Sequence, residues 1–65
     1  MIKVNNNEIP WEKGLTVEKL LRENNFLLHL SIVKINGVHI NKRSFTTQII
    51  SDNDDIKIVH LVAGG

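Results

Sequence analysis

The sequence predicts a small α+β domain, in which one main helix packs across one face of a mixed sheet of four or five strands. Apolar and polar residues alternate in short segments, one segment carries an apolar stripe at helical spacing, and an Asn-Gly pair marks a tight hairpin. A chain of 65 residues is expected to form one domain, residues 1–65, of which residues 62–65 form a flexible C-terminal tail.

The first two strands are predicted over residues 2–4 and 8–11, on either side of Asn5-Asn6-Asn7. Asparagine tolerates the left-handed conformation that a tight turn requires. Pro10 has no N–H to donate to a neighbouring strand, so the second strand is expected to lie at an edge of the sheet.

The main helix is predicted over residues 17–24. Thr16 is a suitable N-cap, and Val17, Leu20 and Leu21 follow at i, i+3 and i+4. Asn24-Asn25 is expected to close the helix.

Four further elements follow in order: a strand over residues 31–36, a strand over 38–40, a short helical turn within 42–50, and the longest strand over 56–62. Asn36-Gly37 is the hairpin turn between the first two of these strands. Phe45 is expected to anchor the helical turn, and residues 51–55 form a loop.

The alternation of side chains along each strand then predicts which residues lie on each face of the sheet. The core is expected to contain Ile2, Val4, Val33, Ile35, Ile56 and Ile58, packed against Val17, Leu20 and Leu21. Val59 and Leu61 have the opposite parity and face away from the helix with Lys57. We interpret Val59 and Leu61 as a partner-docking patch bordered by Lys34 and Lys57. The alternatives are apolar residues covered by the tail or a loop, and ordinary solvated lysines.

The composition argues against several classes of function. Eight basic and seven acidic residues give a net charge of +1, so neither nucleic acid nor a membrane surface is an expected partner. The chain has no cysteine, which excludes disulfides and thiolate chemistry of its own. The apolar run 26–33 is too short to span a bilayer. Since no signal-peptide pattern occurs at Met1, a cytoplasmic location is expected.

Other candidate residues have ordinary structural interpretations. His29, His39 and His60 lack a metal-ligand spacing, so no metal site is predicted. The acidic cluster at 52–55 is expected to be a solvated turn. Trp11 is interpreted as a core residue, and the alternative is an anchor for a partner protein. Lys42-Arg43 is interpreted as a pair that aids solubility, and the alternative is a site that receives an acidic partner.

The segment Val62-Ala63-Gly64-Gly65 is the most informative part of the sequence. Glycine has no Cβ, so a diglycine tail can enter a channel too narrow for other residues and present its carboxylate to the catalyst of another protein. The alternative is a frayed terminus.

Together these segments resemble a known family, the ubiquitin-like β-grasp sulfur carriers, most closely the ThiS type of thiamin thiazole biosynthesis. The resemblance rests on 14–17 (Gly-Leu-Thr-Val) with Leu20-Leu21, 35–37 (Ile-Asn-Gly), 42–45 (Lys-Arg-Ser-Phe), 52–54 (Asp-Asn-Asp) and the tail 62–65. Asn53 stands where the family often has glycine, and Asn41-Lys42 replaces a valine-proline-like pair.

The resemblance implies a carrier and co-substrate, not an enzyme, with no catalytic residue and no bound cofactor of its own. A ThiF-type adenylating enzyme would use ATP and Mg²⁺ to activate the Gly65 carboxylate, with Ala63 and Gly64 recognised in the tail. A sulfur donor, such as a cysteine desulfurase or rhodanese-like protein, would convert it to a thiocarboxylate. Thiazole synthase would then receive the sulfur.

Three alternatives remain at this point. A molybdopterin-synthase small subunit has a similar fold and ending. A ubiquitin-like modifier would be joined through Gly65 to lysines of target proteins. A β-grasp interaction module with an inert tail belongs to a different functional class.

Overall fold

The computed structural model describes residues 1–61. The strands are β1 (Ile2–Val4), β2 (Asn7–Ile9), β3 (Ser31–Ile35), β4 (Val38–Ile40) and β5 (Asp55–His60). The main helix is α1 (Val17–Glu23), and two short 3₁₀ helices span Leu28–Leu30 and Lys42–Ser44. The tail predicted at 62–65 lies outside the described residues.

The five strands form one mixed sheet in the order β2-β1-β5-β3-β4. β5 runs parallel to β1 and antiparallel to β3, while β1–β2 and β3–β4 are antiparallel hairpins. This arrangement confirms the predicted α+β class, and it places the last strand of the chain at the centre of the sheet.

The first hairpin turns at Asn5 and Asn6, where φ is 50° and 72°. β2 is an edge strand, as Pro10 required, but it ends at Ile9, so the predicted extension to residue 11 is wrong. Instead, the Trp11 indole Nε1 donates a hydrogen bond to the Ile50 carbonyl oxygen (2.7 Å), which draws this segment towards the interior. Trp11 is half-buried against the core, in agreement with its structural interpretation.

α1 begins as predicted, because the Thr16 hydroxyl accepts a hydrogen bond from the Lys19 N–H (3.2 Å). It ends at Glu23, one residue earlier than predicted, and Asn24 caps it. Asn25 follows with φ of 62°, a left-handed conformation that ends the helix.

The predicted core is confirmed, since every residue assigned to it is buried. Leu15, Phe45 and Ile50 complete it. The helical turn predicted within 42–50 is the 3₁₀ helix Lys42–Ser44, and the Phe45 side chain that follows is 2% exposed. Ser31 is fully buried at the start of β3, where its hydroxyl donates to the Leu27 carbonyl oxygen (2.7 Å).

The loop before β5 is held by the β3–β4 turn and by the N-terminus of the chain, which lie at the same end of the sheet. Asn36, in the β3–β4 turn, donates from Nδ2 to Asp54 Oδ1 (3.0 Å) and accepts from the Asp55 N–H (3.0 Å). Asn53 adopts a left-handed conformation, with φ of 71°. The Met1 ammonium donates to Asp52 Oδ1 (2.6 Å), which holds the pKa of that carboxyl below its usual value.

Within residues 1–61, no helix is both long enough and apolar enough to cross a membrane. The same residues contain no group of three or more histidine, aspartate or glutamate side chains placed to hold a metal ion.

Candidate functional site

The candidate site is the C-terminal end of β5, from which the chain continues into the tail. Ala63, Gly64 and Gly65, the predicted tail residues, lie outside the described residues, and their roles stay predictions. The described residues include all four predicted docking residues, Val59, Leu61, Lys34 and Lys57.

The strand register brings the four predicted docking residues together. Lys57 lies directly opposite Lys34, on the neighbouring strand β3. Leu61 continues the same pairing, because its N–H donates to the Leu30 carbonyl oxygen (2.7 Å). Val59 is 57% exposed and Leu61 is 43% exposed, so both apolar side chains contact solvent as their parity predicts.

Ile32 is an apolar residue on this face that the sequence interpretation missed. It lies directly opposite Val59 and is half-buried. The signal was present in the sequence, since Val33 and Ile35 point into the core and therefore place Ile32 and Lys34 on the other face. We define the outer patch as Ile32, Lys34, Lys57, Val59 and Leu61.

The outer patch is positively charged at one end. Like charges directly opposite each other on adjacent strands are destabilising, and Lys34 and Lys57 form such a pair. The Lys57 ammonium turns towards Asn6, where it donates to Oδ1 (2.7 Å), and it lies 3.9 Å from Asp55 Oδ1. Lys34 is exposed, so its ammonium is accessible at the surface.

Asn5 holds the other side of β5, at Ile56 and Ile58. Its N–H donates to the Ile56 carbonyl oxygen (2.9 Å). Its side-chain Oδ1 accepts from the Ile58 N–H (2.8 Å), and Nδ2 donates to the Ile58 carbonyl oxygen (3.0 Å). The end of β5 is therefore attached through Asn5 on one side and through β3 and Leu30 on the other.

His60 points to the opposite face from Val59. Its ring meets the edge of Phe26, with ring centroids 5.8 Å apart and an interplanar angle of 79°. His29, His39 and His60 do not form part of a cluster of potential metal ligands among the described residues. The Lys42 ammonium donates to the His29 carbonyl oxygen, so Lys42 links the second 3₁₀ helix to the first.

The comparisons with known proteins agree with this fold. The crystal structure of the thiamine biosynthesis protein ThiS from Geobacter metallireducens is similar to this chain with a TM-score of 0.78 and 21% identity, over 98% of this chain and 97% of that one. The NMR solution structure of a thiamine biosynthesis protein from the same organism has the same TM-score and identity, over 98% of this chain and 86% of that one. These likenesses show the fold.

A comparison with curated proteins gives no significant match. The model of the ThiS family, in contrast, matches residues 2–65, which include the whole sheet, the outer patch and the terminal glycines. On this match, the chain belongs to the ThiS family.

Proposed function

We propose that this protein is a sulfur carrier for thiazole formation in thiamin biosynthesis and that the sulfur is carried on the carboxylate of Gly65. The observation that carries the proposal is the family match over residues 2–65, which includes Gly64 and Gly65. The position of β5 supports it, since the strand that leads into the tail is central in the sheet and paired on both sides.

The chemistry begins with activation of the carboxylate. A free carboxylate is a poor electrophile because its negative charge repels a nucleophile. A ThiF-type adenylating enzyme would join the Gly65 carboxylate to the α-phosphate of ATP and release pyrophosphate. The Mg²⁺ and cationic groups that neutralise the phosphates belong to that enzyme.

Sulfur then replaces the adenylate. The terminal sulfur of a persulfide on a cysteine desulfurase or rhodanese-like donor attacks the carbonyl carbon, and AMP leaves. A thiol cleaves the S–S bond of the resulting acyl disulfide, which gives the Gly65 thiocarboxylate and a disulfide. Because the carrier has no cysteine, its terminal carbonyl is the position at which it holds sulfur. Thiazole synthase would accept that sulfur.

Docking would occur through the outer patch. Ile32, Val59 and Leu61 supply apolar area at the end of the central strand, and Lys34 supplies a positive charge at its border. Residues 62–65 span about 13–14 Å when extended, which is enough to reach a partner's ATP site while the folded domain stays outside.

Intact mass spectrometry tests the proposal. The protein is incubated with ATP, Mg²⁺, the adenylating enzyme and a persulfide donor, with a sample lacking ATP as control. A sulfur-for-oxygen mass gain that requires ATP is the expected result. A covalent conjugate with a target protein would indicate a ubiquitin-like modifier, and an unchanged mass would indicate an interaction module. A thiocarboxylate that supports molybdopterin synthase but not thiazole synthase would assign the carrier to molybdopterin synthesis instead of thiamin biosynthesis.

A further inference from the structure

Asn5 makes an unusual set of contacts for a turn residue. It follows β1 in the left-handed conformation, with φ of 50°. Its backbone N–H and both polar atoms of its side chain all bind β5, at Ile56 and Ile58. These side-chain contacts join positions 53 residues apart in the sequence.

The Asn5 carboxamide takes the place of a peptide group. β1 and β5 pair in parallel up to Val4 and Ile56, after which the Asn5-Asn6 turn carries the chain away from β5. A longer β1 would offer one acceptor and one donor to the Ile58 peptide. Oδ1 and Nδ2 of Asn5 offer the same two groups, at 2.8 and 3.0 Å. The side chain therefore extends the pairing to Ile58.

Ile58 immediately precedes the exposed part of the candidate site. Val59 is the next residue, and Leu61 ends the described chain. The contacts at Ile58 therefore help to fix the direction of β5 where Val59 follows, together with the pairing of β5 with β3. A binding surface that is already ordered loses less conformational entropy on association than one that must be ordered first.

We propose that Asn5 is a positioning residue for the adenylation reaction: its side chain holds β5 at Ile58, so that the outer patch is presented to the adenylating enzyme in one orientation. This proposal rests on the proposed function. Asn5 acts through β5.

The test compares two Asn→Gly substitutions at left-handed positions. Asn5→Gly keeps the backbone conformation accessible and removes both side-chain contacts with Ile58. Asn25→Gly is the matched control, because Asn25 also has a positive φ, of 62°, and follows α1, outside the pairing of β1 with β5. Asn5→Asp is the second variant. It keeps the acceptor for the Ile58 N–H and loses the donor to the Ile58 carbonyl.

Two readouts separate positioning from general stability. Hydrogen exchange of the Ile58 amide reports directly on its hydrogen bond to the Asn5 side chain. Pyrophosphate release at varied carrier concentration gives kcat and KM. In Asn5→Gly, the Ile58 amide should exchange faster, and the KM for the carrier should rise by about tenfold, as expected for two ordinary hydrogen bonds. kcat should change little. Asn5→Asp should raise KM in the same direction, and Asn25→Gly should match the parent in both readouts.

The possible failures are distinguishable. If the parent releases no pyrophosphate, the proposed function fails, and the positioning role fails with it. If the parent reacts and Asn5→Gly reacts with the parent's KM at temperatures where both are folded, the positioning role alone is overturned. An equal rise of KM in Asn25→Gly would also overturn it, because the effect would then reflect general loosening of the domain. If Asn5→Gly does not fold, Asn5→Asp decides between these outcomes.

Discussion

Ile32 lies directly opposite Val59 on adjacent antiparallel strands, on the sheet face that does not contact α1. The pair is flanked along β5 by Lys57 and by Leu61, so apolar side chains and a positive charge occupy neighbouring positions. Apolar side chains at the centre of an interface usually carry most of its binding energy, and charged groups at the rim tune association. The arrangement therefore suits a protein surface that is apolar at its centre and acidic at one border.

The first prediction concerns this apolar pair. Ile32→Ser with Val59→Ser should leave the fold intact, because both side chains lie on the outer face, while the affinity for the adenylating enzyme should fall by about tenfold or more. Titration calorimetry with the adenylating enzyme measures the change. Val38→Ser is the matched control, since Val38 is 63% exposed but lies on the edge strand β4.

The outcome distinguishes a docking surface from apolar residues that are covered by the tail or a loop. If the double variant binds like the parent and remains folded, Ile32 and Val59 do not form the docking surface. If Val38→Ser weakens binding equally, the interface lies elsewhere on the sheet.

A second prediction uses two neighbouring isoleucines in opposite environments. Ile50 is 0% exposed and Ile49 is 52% exposed. Ile50→Ala should lower the free energy of unfolding by about 2–5 kcal/mol, because it leaves a cavity in the core. Ile49→Ala should change it by only ~0.5 kcal/mol. Urea unfolding measures both. Equal effects would mean that the core does not extend to residue 50.

Much of this core was predictable, because its residues follow simple periodicities. The spacing of Val17, Leu20 and Leu21 identified the face of α1, and alternation identified the inward residues of β1, β3 and β5. Leu15 and Ile50 were not assigned because they lie in segments without regular structure. The Leu15 carbonyl accepts from the Ile50 N–H (2.8 Å), a contact that depends on tertiary folding.

The candidate site was predictable in part for the same reason. Parity placed Val59 and Leu61 outward, but only the register between β3 and β5 reveals that Ile32 faces Val59. The contacts of Asn5 with β5 could not be predicted, because an asparagine in a turn has a sufficient local explanation. Its contact with Ile58 joins two ends of the sequence and follows from the parallel pairing of β1 with β5.

A third prediction concerns stability in acid. The hydrogen bond from the Met1 ammonium lowers the pKa of Asp52 in the folded state. A carboxyl with a lowered folded-state pKa stabilises the fold above its ordinary value of 3.8, and this contribution is lost as the pH falls through the lowered pKa. Asp52→Asn should therefore reduce the melting temperature slightly at neutral pH and make no difference in strong acid.

The partner of Asp52 offers a matched test. Acetylation of the Met1 amine should have the same effect as Asp52→Asn, and the two changes together should add little to either alone. Melting curves between neutral pH and strong acid measure these differences. A Tm difference that persists unchanged at low pH would show that the ion pair is not its source.

The last prediction concerns the terminal carboxylate. Deletion of Gly65 places the carboxylate on Gly64, one residue short of the activating site, and an added C-terminal glycine places it one residue too far. Gly64→Val adds a branched side chain where the channel is expected to be narrowest. All three variants should fold and bind the adenylating enzyme through the outer patch, which they leave unchanged.

None of the three should release pyrophosphate at a rate near that of the parent, because a displacement of about 1 Å at a reacting group can cost ~100-fold in rate. Pyrophosphate release and intact mass measure activation and sulfur transfer, and titration calorimetry in the same buffer measures docking. Loss of activation with retained docking separates the role of the tail from that of the sheet. Normal activation of the Gly65 deletion would contradict the assignment of the reacting carboxylate to Gly65, because activation would then not depend on the residue that carries the carboxylate.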